Sequence, residues 1–485
     1  MPRFLPRLSA ARSPLAAAVL SATNFLMVFD GLVVTVALPS IQHSLGFSTL
    51  GLQWVATAYS LPLGGLLLLG GRCGDRFGRR RALIAGLEIF SVGLVLAGLA
   101  PTAWALLAAR VLQGAGAALA IPNSYALIST MRSTERRNRI FAAVAVAGSG
   151  AAAGGAVIGG LVSQTLGWRF VFFLSAPVAI AAILIAPKVL DAGRDHDRPS
   201  KLDVGGALLS TIGLTALVFA ISSIERSGVS SPITWGSFLL SAAILAGFVL
   251  REFRTSRPLL RPALLRVRTL RAAIIGMPGQ VFAYTGTVFI GLLFFQQARG
   301  YTALQAGLAF APLGVASAIG SPMTTRLLRR WHWTAVAVVS QVTCAGGLLL
   351  LAIAPADGGY VAHFLPGMIF LGFGIAGAAV TLNVAAGSEV PAGEKGVGYG
   401  LFETSTHISG ALVIAILATV ATGYTRTLPD ADTAGALAAG YQTAFAVAAA
   451  AAFVAGVLTV LVGHRRHRQK AGPRPADPER TETRN

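Results

Sequence analysis

Apolar residues in this chain come in runs too long for a soluble fold. From Pro14 to Pro39 only one charged residue, Asp30, interrupts the pattern. Similar runs recur near 15–38, 50–71, 82–99, 102–122, 140–163, 168–187, 203–222, 235–250, 272–295, 303–325, 333–354, 361–382, 397–421 and 441–463. Most are close to the 18–25 residues with which a helix crosses a bilayer. They predict an all-α membrane protein of 14 transmembrane helices.

The polar residues between the runs test that count. If both termini are cytosolic, the inner segments carry clusters such as Arg72, Arg76, Arg79, Arg80 and Arg81, and then Arg132, Arg136, Arg137 and Arg139. Thirty-four of the 39 lysines and arginines fall on that side, against four (Arg169, Arg226, Arg299, Arg426) on the other. A miscounted span would scramble this asymmetry, which follows the positive-inside rule. Two longer connections, 188–202 and 251–271, bracket spans seven and eight. The chain therefore parses as a six-helix bundle over 1–187, a linker with an inserted transmembrane hairpin over 188–271, and a second six-helix bundle over 272–463. A basic, Pro-rich tail over 464–485 reads as disordered and cytosolic.

Composition agrees. Apolar residues make up 54% and charged residues 12%, with a mean hydropathy of +0.68; a soluble domain carries about a quarter charged residues. The net charge of +20 would suggest nucleic acid in a soluble protein, but the arginines sit in short clusters between apolar runs. Arg3, Arg7 and Arg12 precede a first run too long for a signal-peptide core, so it reads as a retained span. Cys73 and Cys344 are the two cysteines, too few for a disulfide framework or a metal site.

Several stretches carry a family resemblance. Gly71-Arg72-Cys73-Gly74-Asp75-Arg76-Phe77-Gly78-Arg79-Arg80 resembles the loop signature of the major facilitator superfamily between spans two and three. Leu106, Arg110, Gln113, Gly114 and Gly116 stand where that superfamily has its fourth-span motif. Phe29-Asp30 with Val36-Ala37-Leu38-Pro39 is similar to the first-span motif of drug:proton antiporters. Gly155-Ala156-Val157-Ile158-Gly159-Gly160, followed by Trp168-Arg169-Phe170 and Pro177, resembles their fifth-span motif, with Ala156 where proline is usual. Leu32 and Thr35 replace the Thr and Asn frequent in the first-span motif, and the matching second-half loop, Gly320 to Trp331, has no acidic residue. With fourteen spans, the chain resembles the fourteen-helix drug:proton antiporter branch. The resemblance implies two six-helix halves rocking around a midplane cavity, with spans one and four lining it.

Charges inside a bilayer cost a few kcal/mol and are functional candidates by default. Asp30, Glu88, Arg110 and Glu403 are the ones here. Asp30 and Arg110 sit at similar depth in oppositely directed spans. Desolvation favours a carboxyl's protonated form and a nearby guanidinium its ionised form, so a site balanced between them can load and release a proton. A static pair that fixes helix packing is the alternative. Asn24 shares an arc of span one with Asp30, Thr23, Gly31 and Thr35; Gln113 and Ser124 share one of span four with Arg110. Glu403 and His407 are four apart on one helix face. Either they bind a proton or a cationic substrate, or Glu403 reaches the cytosolic edge while His407 packs. Glu88 reads as a partner of the loop arginines. Asp75, with Gly71, Arg76, Gly78, Arg79 and Arg80, reads as a gating loop whose carboxylate meets a helix N-terminus or an arginine across the bundle. Gly148, Gly155 and Gly159 share one face of span five, with spacing for close helix contact.

The expectation is a monomeric proton-coupled efflux transporter of the bacterial plasma membrane, exporting small lipophilic compounds, with a lean toward cations. It needs no cofactor, metal or nucleic acid, has no catalytic residues and is driven by the proton gradient. No G-x-x-x-x-G-K-[ST] phosphate loop is present. A metabolite symporter or uniporter on the same scaffold is the first alternative; a membrane-embedded enzyme or a sensor is the second.

Overall fold

In the computed structural model the described residues are 5–129, 134–190, 203–255, 262–391, 395–429 and 433–463. The tail 464–485 and most of the 188–202 connection lie outside them. Among the described residues the chain is helical throughout, with no strand. The helices are α1 Leu5–Leu45, α2 Thr49–Phe77, α3 Arg79–Gly98, α4 Ala103–Ser129, α5 Thr134–Thr165, α6 Trp168–Val189, α7 Val204–Ser227 and α8 Pro232–Arg254. They continue as α9 Arg268–Ala298, α10 Ala303–Leu327, α11 Trp333–Ile353, α12 Tyr360–Ser388, α13 Lys395–Thr425 and α14 Ala434–Gly463. Thirteen are long and apolar enough to cross a membrane; α5, at 32 residues, completes fourteen. All fourteen apolar runs have become helices. Many extend a turn or more past their runs, because the backbone satisfies its own hydrogen bonds in a helix wherever lipid or headgroup replaces water.

Helices α1 to α6 pack against one another, with α4 against α2 and α3, and α1 against α5 and α6. Helices α9 to α14 do likewise, with α12 against α10 and α11, and α14 against α9 and α11. The two groups meet along two main seams, α5 with α10 and α2 with α13, and α1 also touches α9. α7 packs on α8, α2 and α13. Small residues make the tight crossings. A Cβ at Gly114 would run into Tyr59 O of α2, one at Gly116 into the backbone of α3, and one at Gly307 of α10 into Ala156 O of α5. Such close approach is how membrane helices gain packing where apolar burial offers little.

Two features have no counterpart in the apolar pattern. α9 is not a uniform helix: π-helical turns cover Phe282–Gly286 and Phe294–Ala298, and another opens α12 at Tyr360–Phe364. Around the second lies an aromatic cluster, with Phe294 and Phe295 within 5.5 Å of each other and of Phe364. α7 is capped by Asp203, which accepts the Gly206 amide N–H at 2.9 Å and the Arg251 Nε–H at 2.9 Å. Burial pushes this carboxyl's proton affinity up; the amide, Arg251 and nearby Arg72 outweigh it and hold the group below the usual carboxylate range.

Candidate functional site

The α1–α6 group contains a closed ion pair. Asp30 of α1 and Arg110 of α4 are 2% and 1% exposed, and Arg110 Nη1 donates to Asp30 Oδ2 at 2.5 Å. The same Nη1 donates to Gln113 Oε1 at 2.6 Å, Nε donates to the Val55 carbonyl of α2 at 3.0 Å, and the guanidinium stacks over the Tyr59 ring at 4.5 Å. One side chain thus joins α1, α2 and α4. The planar fork of arginine makes this possible, since its donors point in fixed, different directions. The depth match of Asp30 and Arg110 foretold their meeting. Val55 and Tyr59 were not foreseen, because a backbone acceptor and an aromatic ring leave no charge signature in an apolar run.

Further along α4 the polar stripe continues. Asn24 of α1 donates to Ser124 Oγ at 3.2 Å and to its own Leu20 carbonyl at 3.0 Å. The Gln113 Nε2 is buried without a hydrogen-bond partner among the described residues, so the stripe keeps one donor in reserve. Thr23 and Thr35 turn back onto their own helix, bonding the Val19 and Gly31 carbonyls.

Glu403 and His407 of α13 face one another at 3.9 Å and are 31% and 25% exposed. Tyr125, next to Ser124 on α4, lies in electrostatic range of Glu403. A Cβ on Gly64 of α2 would stand 3.1 Å from the His407 Cβ, so this pair lies where the two helix groups meet. Glu88 takes a different position from the expected one. It is exposed on α3 and forms no ion pair with the loop arginines among the described residues, because its helix face points away from the bundle.

The α2–α3 loop is tied within its own group. Gly78 has φ +98°, a conformation that glycine alone adopts without strain. Arg79 Nη2 pairs with Asp75 Oδ1 at 3.3 Å while its Nη1 donates to the Ala126 carbonyl of α4 at 3.3 Å. Arg80 donates to the carbonyls of Pro187 and Leu190 at the end of α6. Arg76 lies over the Phe77 ring. A Cβ at Gly71 would make ordinary contact with Pro122, whereas one at Gly74 would overlap Asn123, itself pinned to the Gly70 carbonyl at 2.9 Å. In this conformation Asp75, 53% exposed, pairs with Arg79 inside its own loop and, among the described residues, not across the bundle.

On α5, Gly155 packs against Leu32 and Phe29, and Gly159 against Val33, all of α1. Gly148 has nothing within 4 Å of a would-be Cβ, so the shared glycine face contacts α1 over one part of its length only. At the arginine-poor end the two groups are linked by polar contacts. Gln296 donates to the Val36 carbonyl at 3.1 Å; Gln297 of α9 donates to Gln42 of α1 at 2.9 Å and accepts from the Tyr441 hydroxyl of α14 at 2.6 Å. A cleft of about 390 Å³ between Trp54 of α2 and helices α7 and α8 lies apart from all of these residues. Among the described residues no group of histidine, cysteine and carboxylate side chains could hold a metal ion.

Residues 20–414 match the family model of the Major Facilitator Superfamily. The chain is 36% identical over 461 residues to the puromycin resistance protein of Streptomyces alboniger, covering 92% of this chain and 91% of that one. It is 33% identical over 432 residues to a cephamycin export protein of Amycolatopsis lactamdurans, covering 85% and 86%. The crystal structure of an auto-inhibited peptide transporter of the POT family superposes with a TM-score of 0.70 at 17% identity, over 96% of this chain and 99% of that one; at that identity the likeness is one of fold.

Proposed function

This chain belongs to the Major Facilitator Superfamily, and we propose that it is a proton-coupled exporter of small lipophilic compounds, antibiotics among them, that works by alternating access. Relatives named for puromycin resistance and cephamycin export support an antibiotic as cargo. The arginine-rich face is the cytosolic one, so both termini lie on the cytosolic side of a bacterial plasma membrane. Residues 1–187 and 272–463 form the two rocking units of a monomeric transporter, with 188–271 joining them. The protein is a transporter and not an enzyme.

The observation that carries this reading is the buried Asp30–Arg110 pair at the junction of α1, α2 and α4. A proton arriving at Asp30 removes the counter-ion of Arg110. The guanidinium keeps the Val55 and Gln113 acceptors, so α2 and α4 stay joined while α1 loses its ionic tie and keeps the weaker Asn24–Ser124 bond. Breaking a buried pair costs a few kcal/mol, and each proton entering supplies about 2.3 kcal/mol per 100 mV. The two are of one size, as coupling requires. Glu403 and His407, on the other helix group, then attract a cationic substrate or take a further proton.

A second reading deserves its own arm in the test, because every contact of Arg110 could equally serve as a static pin. Inverted vesicles holding Asp30→Asn keep the hydrogen-bond acceptor and lose the titrating group. Under the coupling reading they lose uphill, pH-driven substrate movement and retain substrate-for-substrate counterflow. Loss of both with a weakened fold favours the pin, and undiminished pH-driven transport sinks the coupling altogether.

A further inference from the structure

The role of α7 and α8 follows from how differently α7 holds its two neighbours. Along α2 it is fastened at three levels. Gln53 Nε2 donates to Ser222 Oγ at 2.7 Å near the arginine-poor end. Midway, Gly65 leaves room for Thr211, whose side chain a Cβ there would overlap. At the arginine-rich end, Asp203 lies in electrostatic range of Arg72 while bound to Arg251 of α8. Toward α13 the surface is of another kind. Leu214 and Val218 form a buried apolar cluster with Ala411 and Ala415 of α13 and Leu61 of α2, with Trp54 of α2 and Ile408 and Leu412 of α13 packed beside it. One long hydrogen bond, Thr419 Oγ1 to the Ile221 carbonyl at 3.5 Å, adds to it near the arginine-poor end. No polar contact between α7 and the Glu403–His407 stretch occurs among the described residues.

We propose that the α7–α8 hairpin is a fixed part of the α1–α6 unit, a cover clamped to α2 over the α2–α13 seam, beneath which α13 slides as the transporter switches. The two surfaces fit those tasks. The Gln53–Ser222 hydrogen bond, the Asp203–Arg72 attraction and a side chain seated in a glycine notch resist displacement, because each must be given up before α7 can move along α2. The α13 face is apolar, with the small Ala411 and Ala415 at its buried centre, so sliding across it exchanges one set of weak apolar contacts for another. The cover keeps lipid tails out of a seam whose lining includes Gly64 and His407, and it does so in both conformations only if it stays with one side. This inference rests on alternating access, and its test separates the two.

In a background with Cys73→Ser and Cys344→Ser, two cysteine pairs are made in the full chain and reconstituted into liposomes. One is Gln53→Cys with Ser222→Cys, joining α7 to α2. The other is Ile221→Cys with Thr419→Cys, joining α7 to α13. Each is bridged by a short bis-methanethiosulfonate, and pH-driven flux of a fluorescent lipophilic cation is read before bridging, after it, and after reduction. Bridging α7 to α2 leaves flux within about twofold, whereas bridging α7 to α13 lowers it by about tenfold or more, reversibly, as expected when a crosslink spans a moving interface. Block by the α7–α2 bridge, or free flux through the α7–α13 bridge, overturns the proposal. Spin labels at the same pairs give a measure independent of flux: the α7–α2 distance stays fixed between acid and alkaline pH while the α7–α13 distance changes, and the reverse pattern overturns the proposal too. Flux absent from both unbridged variants and from the cysteine-free parent removes the alternating-access reading, and the sliding cover falls with it.

Discussion

Arg110 shows how much one side chain can decide. Its fork serves Asp30, Gln113 and the Val55 carbonyl at once, with both charged side chains buried. Lysine carries the same charge but a single ammonium on a flexible stem, which cannot hold three separate acceptors in one plane. Arg110→Lys is therefore expected to lower pH-driven export at least about tenfold, read as flux in vesicles at matched protein levels. Arg110→Ala strands a buried carboxylate and should cost about 3–5 kcal/mol of stability. Asp30→Asn combined with Arg110→Ala should recover part of that loss, because no uncompensated charge remains. Thermal unfolding in detergent of the two singles and the double checks this; equal melting of Arg110→Ala and the double variant would contradict it. At this scale the sequence was most legible for charges. Asp30 and Arg110 stood out because apolar runs make any charge conspicuous, and their depths matched. Their neighbours Val55 and Tyr59 did not stand out, since a main-chain carbonyl has no residue signature. The side on which Glu88 lies needed the packing of α3, which its own run does not reveal.

Among the helices, the glycine pattern was half informative. Gly155 and Gly159 lie against α1, but the close crossing of the two units comes from Gly307 on α10 meeting Ala156 of α5 and Gly160 on α5 meeting Ala303 of α10, a partner choice that spacing along one helix cannot give. A leucine at 307 has to push the α5 backbone away. Gly307→Leu should therefore insert and fold yet lose at least about tenfold of export, in line with strain that shifts a two-state element. Gly148→Ala, with open space around it, should leave export within about twofold. Flux assays on the two variants distinguish a crossing from a bystander glycine. The π-helical turns of α9 were invisible for a related reason: an extra residue in a turn changes hydrogen-bond register without changing hydrophobicity. Asp203 adds a pH dependence. Its carboxyl is held below the usual range, so its hold on Arg251 and the α7 cap is in place at neutral pH and at mild acidity. It is lost only as pH falls through that lowered value. Protection of the 188–271 region from protease should stay level through the ordinary carboxylate range and decline below it; Asp203→Asn should remove that acid step.

At the scale of the whole molecule, fourteen apolar runs and a one-sided distribution of arginine were enough to foresee fourteen helices. Which ends touch in a given conformation depends on contacts between residues some 250 positions apart, as with Gln297 and Gln42, and no local pattern encodes them. Those contacts define the state seen here, closed at the arginine-poor face. Gln297 is their hub: it gives one hydrogen bond to α1 and accepts one from α14. Because α1 and α14 belong to different units, the link to Gln42 must break for that face to open. Each such bond contributes about 0.5–1.5 kcal/mol net. The Tyr441 bond lies within the second unit, so losing the Gln42 link with Gln297→Ala should favour opening by about 0.5–1.5 kcal/mol, or about 2- to 13-fold in population. The alanine leaves the Asp30–Arg110 pair untouched, so proton coupling itself is spared. What changes is the resting equilibrium: a cysteine introduced at Val36, buried against α9 in the closed state, should react faster with a membrane-impermeant maleimide in intact cells when Gln297 is alanine. Identical labelling rates in the two backgrounds would mean that the closed face is held by the α5–α10 crossing at Gly160 and Gly307, with the glutamines as passengers.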